Sequence, residues 1–281
     1  MSTATMTAPS ATINFDSPTR VTPEQIAQFR RDGHIMIKGV FTPEEIAAVE
    51  PLISAAVERQ KAHLAQYQAP IEARGFYQQA FVQIMNLWES DPATKAWIFN
   101  KRLARLATEL MGTRGVRMFH DQALYKEAKG GATPWHTDQA YWPLASELSI
   151  TAWVPLVPVS LDMGPLSFAS GSHRLVKHRD SHITLEAAQA ITETVRLNQL
   201  PTVTEPFALG DVTFHYGFTY HFANRNSTDC LRKVMTMIYM DSEMRLGEAS
   251  ERTKGDAEWL CSGIKPGELI DTAKTPILYQ R

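Results

Sequence analysis

Leu148-Ser149-Ile150-Thr151-Ala152-Trp153-Val154-Pro155-Leu156 alternates with a period of two. Successive side chains of a strand point to opposite faces. Leu148, Ile150, Val154 and Leu156 therefore make one apolar face, while Ser149, Thr151 and Trp153 point the other way. One face packs and the other looks into something polar. Val116 to Lys126, Pro165 to Ala169, Val212 to Tyr216 and Arg232 to Met240 read as further strands. His120, Gln122 and Lys126 share a face, as do Arg232, Val234 and Thr236. One helical pattern, near Leu185 to Val195, interrupts them. A sheet closed around a polar interior, with helices outside, suits an antiparallel jelly roll. The expected fold is mainly β with flanking α-helices, a double-stranded β-helix (cupin-like) core. A doubly wound parallel sheet needs helices alternating with strands, and no Gly-rich phosphate loop follows any strand here.

Before Val116 the pattern is helical. Thr22-Pro-Glu-Gln25 and Thr42-Pro-Glu-Glu45 are capping boxes with proline at the first helical position. His34 to Lys38 reads as a short strand after the Asp32-Gly33 turn. Asp91-Pro92 opens another helical region, with Leu103, Leu106, Ala107 and Leu110 at helical spacing and Gly112 placed to end it. Residues 1–17 are small and polar and are expected to be disordered. Residues 18–281 are expected to form a single domain, helical in its first third and a jelly roll from about 115.

The chain has 281 residues, 28 basic and 30 acidic side chains and a net charge of −2. That balance gives no broad positive field for nucleic acid or an anionic membrane. Two cysteines are too few for a disulfide framework and fit a reducing compartment, so a cytoplasmic location is expected. The longest apolar stretch, Ile150 to Leu161, is short and holds Pro155 and Pro158. No basic-then-apolar leader opens the chain. Asn226-Ser-Thr228 matches a glycosylation sequon and is read as chance.

The chemistry is sought in His-x-Asp with a distant second histidine, the pattern of a two-His-one-carboxylate iron(II) site. On an extended strand, residues i and i+2 project to one side, and the third ligand comes from a neighbouring strand. With nine histidines in the chain, about 0.4 chance matches are expected, and two occur, His136-Thr-Asp138 and His178-Arg-Asp180. The second lies in a charged segment without strand alternation and reads as a solvated loop. The first adjoins the strand-rich region, where a metal site and a structural role remain balanced.

The chain resembles the phytanoyl-CoA dioxygenase-like branch of the iron(II)/2-oxoglutarate oxygenases. The matching stretches include Asp32-Gly-His-Ile-Met-Ile-Lys-Gly39, Asn86-Leu-Trp88, Trp135-His-Thr-Asp138, Thr151-Ala-Trp153, Gly164-Pro-Leu166, Gly210-Asp-Val-Thr-Phe-His215, His221-x2-Asn224 and Arg232. They run in the family's order over roughly residues 21 to 241. The resemblance implies that His136, Asp138 and His221 hold Fe(II), with 2-oxoglutarate as co-substrate and O2 as oxidant. His215 and His221 compete for the distal ligand, and the family interval of eleven residues before the co-substrate arginine selects His221. His215 becomes an inward strand residue bonding a neighbour, or a substrate contact. Arg232 is implied to pair with the distal carboxylate of 2-oxoglutarate, a planar fork that lysine does not reproduce. Trp153, Gln122 and Thr151 are implied to line the co-substrate pocket. Lys126 is either near that pocket or a solvated edge lysine. Gln83 stands where some relatives carry a basic residue. Ala169-Ser170-Gly171-Ser172-His173 departs from the family's Pro-Gly-Ser-His at the start of the turn.

The expected activity is hydroxylation of an unactivated C–H bond of a small-molecule metabolite, with release of succinate and CO2. Relatives that halogenate have a small residue in place of Asp138, so a carboxylate there argues against halogenation. Alternatives are the same iron site with desaturation, epoxidation, rearrangement or endoperoxide formation, a silent binding module, and a zinc hydrolase independent of 2-oxoglutarate. Tyr141 and Trp142 either line the pocket mouth or are core aromatics. Arg174, with Lys177 and Arg179, either attracts an anionic substrate group or forms a solvated loop. A monomer or homodimer is expected.

Overall fold

A computed structural model describes residues 15–17 and 19–281. Of the terminal segment expected to be disordered, residues 1–14 lie outside the described residues. Phe15 is placed, its ring edge against Trp97 with centroids 5.4 Å apart.

The helical third forms as its caps dictate. Helix α1 (Pro23–Asp32) starts on Thr22, whose hydroxyl accepts from Gln25 N at 3.2 Å while Gln25 Oε1 accepts from Thr22 N at 2.8 Å. Gly33 ends it with φ +80°, and a Cβ there would meet His173 Nδ1 at 2.2 Å. Strand β1 (His34–Ile37) follows, then α2 (Pro43–Lys61) on the reciprocal Thr42–Glu45 box. Next come α3 (Phe76–Ala80), β2 (Val82–Met85) and α4 (Leu87–Ser90). The region after Asp91 is not one helix. A 3-10 turn, Pro92–Thr94, leads into α5 (Lys95–Ile98), and α6 (Lys101–Met111) restarts on Asn100, whose side chain accepts from Leu103 N. Gly112 closes α6 in the left-handed region.

The remaining elements build the jelly roll: β3 (Gly115–Tyr125), β4 (Thr133–His136), β5 (Ser149–Pro155), β6 (Leu166–Ala169), α7 (Leu185–Leu197), β7 (Thr202–Thr204), β8 (Val212–Tyr216), β9 (His221–Ala223), β10 (Val234–Asp241), α8 (Lys254–Leu260) and β11 (Ile277–Gln280). The larger sheet runs β1-β8-β5-β10-β3-β11, with β2 also on β3, and the smaller runs β4-β9-β6-β7. The pairings are antiparallel.

The period-two reading of β5 holds. Ile150, Ala152, Val154 and Leu156 join the core between the large sheet and α1, α2 and α6, whereas Trp153 packs inside the barrel on Phe207. Strand β10 starts at Val234 rather than Arg232, because Arg232 forms an isolated bridge with Lys126 through both backbone hydrogen bonds, 2.9 and 3.0 Å. Among the described residues no helix is long and apolar enough to cross a membrane.

Candidate active site

Strands β4 and β9 pair so that His136 stands opposite His221, their ring centroids 4.1 Å apart. Asp138 reaches the same point by a different route from the extended strand expected. Strand β4 ends at His136, and Asp138 has helical dihedrals (φ −70°, ψ −45°) at the start of a 3-10 turn. The strand's exit into the turn swings the carboxylate back toward the imidazoles.

One ligand atom from each of His136, Asp138 and His221 lies within 4.8 Å of the others. His136 Nε2 is 3.7 Å and His221 Nε2 3.4 Å from Asp138 Oδ1. Each imidazole is oriented from behind: His136 Nδ1 lies 2.8 Å from Pro134 O and His221 Nδ1 2.9 Å from Thr219 O. An Nδ1–H donated to a carbonyl leaves the Nε2 lone pair facing the centre, the tautomer a metal requires. The other carboxylate oxygen, Asp138 Oδ2, accepts from Thr151 Oγ1 and lies within hydrogen-bond reach of His215 Nε2, each at 3.1 Å.

The electrostatics follow from burial and crowding. Burial, with repulsion from His221, pushes His136 down to about 3. Burial alone would raise Asp138, but the charge of His221 and hydrogen bonds from His215 and His221 hold it well below the carboxylate range. His221 is raised because Asp138 outweighs its burial. An ionised carboxylate beside an unprotonated imidazole is a ready donor set for a hard or borderline cation.

The cavity over this cluster is lined by His136, Asp138, His221, His215, Gln122, Thr151, Trp153 and Arg232. In its wall Arg232 is 2% exposed, donates to Gly164 O, and lies 5.4 Å from the Trp153 ring centroid. Its Nε has no partner, nor has Trp153 Nε1, and among the described residues no carboxylate pairs with it. Burial lowers the guanidinium to about 9. A buried cation without a counter-ion is costly, so the pocket fits the distal carboxylate of a dicarboxylate chelated at the metal. Gly164 has φ +68° and its Cβ position lies 2.1 Å from Asn224 O, so only glycine presents that carbonyl to Arg232 without strain.

Lys126 is not a solvated edge lysine: it is 0% exposed and donates to Gly131 O. Burial and the adjacent Arg232 bring it down to about 6. Gln83 stands behind the wall, its Nε2 donating to Gln122 Oε1 at 3.0 Å. His215 is the inward strand residue bonding a neighbour. The structure does not bring Trp142 or Arg174 to the cavity. Trp142 packs edge-on against Phe119 in a second apolar cluster. Arg174 donates to Arg31 O at 2.8 Å, at the foot of α1. The Tyr141 hydroxyl accepts from Ile183 N and its ring lies under Arg252, outside the cavity lining. Phe81, Leu124, Thr133, Leu166, Ala223, Thr236 and Ile238 line the cavity and were not singled out as site residues. Thr236, on the face shared with Arg232, and Leu166, in the Gly164-Pro-Leu166 stretch, carried a signal. Phe81 arrives by tertiary packing alone.

The family model for phytanoyl-CoA dioxygenase matches residues 29–234. The non-haem α-ketoglutarate-dependent carbocyclase SnoK from nogalamycin biosynthesis superposes with TM-score 0.75 at 22% identity, covering 92% of this chain and 96% of its own. The epimerase SnoN, solved with Fe3+, α-ketoglutarate and nogalamycin RO, gives TM-score 0.73 at 28% identity, covering 91% and 98%. EctD from S. alaskensis, solved with 2-oxoglutarate and 5-hydroxyectoine, gives 0.61 at 22% identity, covering 80% and 78%. No curated protein matches the sequence significantly.

Proposed function

The chain belongs to the phytanoyl-CoA dioxygenase family of 2-oxoglutarate-dependent non-haem iron enzymes, and we propose that it hydroxylates an unactivated C–H bond of a small-molecule metabolite at a site where His136, Asp138 and His221 hold iron(II). The observation that carries this reading is a buried Arg232, with no carboxylate partner among the described residues, lining the same cavity as the His-Asp-His cluster. A metal cluster alone suits a hydrolase equally well. An added guanidinium seeking a carboxylate suits 2-oxoglutarate.

When bound, iron(II) with 2-oxoglutarate and dioxygen supplies the oxidising power to break the C–H bond, the co-substrate leaving as succinate and CO2. The chain's own residues bind, orient and exclude water. His136 and His221 offer Nε2 because their Nδ1 atoms are tied to backbone carbonyls. Thr151 and His215 occupy Asp138 Oδ2 and leave Oδ1 free for the metal. Arg232 takes the distal carboxylate of 2-oxoglutarate with Trp153 beside it, and Gln122, anchored by Gln83, and Thr151 line the same pocket. Lys126 pairs with Arg232 through the backbone and holds that strand end in place. Phe81, Leu166 and Ile238 keep the cavity dry. Asp138 fills the position that a halide would need.

A second reading keeps the site and changes the outcome to a ring closure, epimerisation or related oxidation. Its support is that SnoN, 28% identical over 91% of this chain, is an epimerase, and SnoK a carbocyclase. The proposed enzyme acts in the cytoplasm as a monomer or homodimer, with neither nucleic acid nor membrane as partner. Oxygen uptake matched by succinate formation tests the class, and activity without 2-oxoglutarate would point to a hydrolase instead. A metabolite screen with product mass then separates hydroxylation, a gain of one oxygen atom, from the second reading.

A further inference from the structure

Lys126 and Arg232 stand directly opposite one another, each backbone N–H donating to the other's carbonyl at 2.9 and 3.0 Å. Directly opposed side chains share a face. On the Lys126 side that face also carries Gln122 and Leu124, which line the cavity together with Arg232. Both side chains are buried. Two cationic groups are thus set side by side on the barrel's inner face, and among the described residues neither forms an ion pair with a carboxylate.

The elements packed around Lys126 turn their own charges elsewhere. In the loop that follows, Glu127 pairs with Lys61 and Arg74, and Lys129 pairs with Asp229. Next to Arg232, Lys233 pairs with Glu50. The adjoining loop presents Asn226, whose amide donates to Lys126 O at 3.3 Å, while its Arg225 is exposed. Lys126 Nζ donates to Gly131 O, and Gly131 N in turn is held by Gln79 O. Burial and Arg232 are left to act on the amine, and they bring it down to about 6. Arg232, at about 9, keeps its charge at neutral pH. The empty site therefore holds one charged and one neutral member of the pair. A carboxylate arriving on Arg232 offsets the repulsion and adds attraction, and a nearby opposite charge raises a titratable amine by about 1–3 pH units.

We propose that Lys126 takes up a proton from the medium when 2-oxoglutarate docks on Arg232, so that co-substrate binding is proton-coupled. The amine lone pair accepts the proton, and the new ammonium keeps its bond to Gly131 O. The proton is released when the product's carboxylate leaves Arg232. Because the bound form holds the proton more tightly than the empty one, affinity for 2-oxoglutarate is greatest at low pH and weakens as pH rises through neutrality. The proposal rests on the reading that Arg232 holds the distal carboxylate of 2-oxoglutarate.

The test is calorimetric titration of 2-oxoglutarate into the iron(II)-loaded, full-length protein, anaerobically at pH 7, in PIPES, HEPES and Tris, whose ionisation enthalpies differ. The slope of the observed heat against buffer ionisation enthalpy counts the protons taken up. Wild type should take up about half a proton or more per 2-oxoglutarate, and its Kd should rise roughly three- to sixfold from pH 6.5 to 7.5. Lys126→Met keeps an apolar stem and removes the amine. Its heats should show no buffer dependence and its Kd should stay within about twofold over the same interval. A merely structural lysine would leave the proton count unchanged. No uptake in the wild type, or equal uptake in Lys126→Met, overturns the proposal. Circular dichroism monitors folding, and if Lys126→Met does not fold, Lys126→Gln, which keeps a donor for Gly131 O, takes its place. The visible iron–2-oxoglutarate band of the wild type keeps the two levels apart. Its absence rejects the underlying site reading, whereas its presence with buffer-independent heats rejects this proposal alone.

Discussion

His215 Nε2 lies 3.1 Å from Asp138 Oδ2, whereas His136 Nε2 and His221 Nε2 approach Oδ1, at 3.7 and 3.4 Å. His215 thereby orients a proposed ligand without being one. Partners of this kind typically contribute about 10–100-fold to metal affinity. His215→Ala should weaken iron(II) binding within that range and leave the far-ultraviolet circular dichroism unchanged, whereas His221→Ala should abolish binding. Equal losses in the two variants would place His215 among the ligands.

Arg232 combines two opposed effects. Its guanidinium is buried with no counter-ion among the described residues, so replacing it with an apolar side chain of similar length relieves a desolvated charge. Arg232→Met should be as stable as wild type or more so without ligand, by up to about 2 kcal/mol. The same variant should lose 2-oxoglutarate affinity by roughly 100-fold, consistent with about 1.5–3 kcal/mol for a hydrogen bond to a charged group. Thermal melts with and without 2-oxoglutarate read both quantities. A destabilised variant that still shifts its Tm with 2-oxoglutarate would contradict the assignment.

Gly164 carries the carbonyl that Arg232 holds, at a φ of +68°. Gly164→Ala should cost more than about 1 kcal/mol of stability and weaken 2-oxoglutarate binding with it, since the new methyl group must displace the Asn224 backbone. Urea denaturation and a co-substrate titration check the two together.

Asp121 sets a pH dependence away from the active site. Its Oδ2 accepts from Leu87 N at 2.9 Å while Oδ1 has no partner, and burial raises the acid to about 7. The folded state therefore keeps a proton that the unfolded chain has released. This contribution is fully present below the ordinary carboxylate range and is lost as pH rises from about 4 through about 7. Asp121→Asn keeps the acceptor for Leu87 and removes the titration. Its unfolding free energy should be flatter than wild type over that interval, and an identical slope would rule the account out.

Much of the fold was legible because its signals are local. Thr22 and Thr42 announce helices through side chains that reach only three residues, and β5 and β3 are long enough for alternation to show. Strands β4, β7 and β9 have three or four residues, too few for a period, and Pro134 lies within β4. The proposed ligand pair His136 and Asp138 was legible as spacing, but the turn that brings Asp138 round was not. Trp142 and Arg174 show the other limit. Their neighbours, Phe119 and the foot of α1, are remote in sequence, so the chain left open whether packing or the pocket would claim them. His120 was readable only as sharing a face with Gln122, and its neighbours Asn86 and Asp256 are remote from it in the chain.

The central claim is that His136, Asp138 and His221 chelate iron(II) in a pocket that Arg232 completes for 2-oxoglutarate. Anaerobic titration of the iron(II)-loaded protein with 2-oxoglutarate tests it most directly. A weak visible metal-to-ligand charge-transfer band should saturate at one equivalent in the wild type and be lost in Asp138→Ala. Absence of the band in the wild type, or its survival with unchanged affinity in Asp138→Ala, would contradict the account.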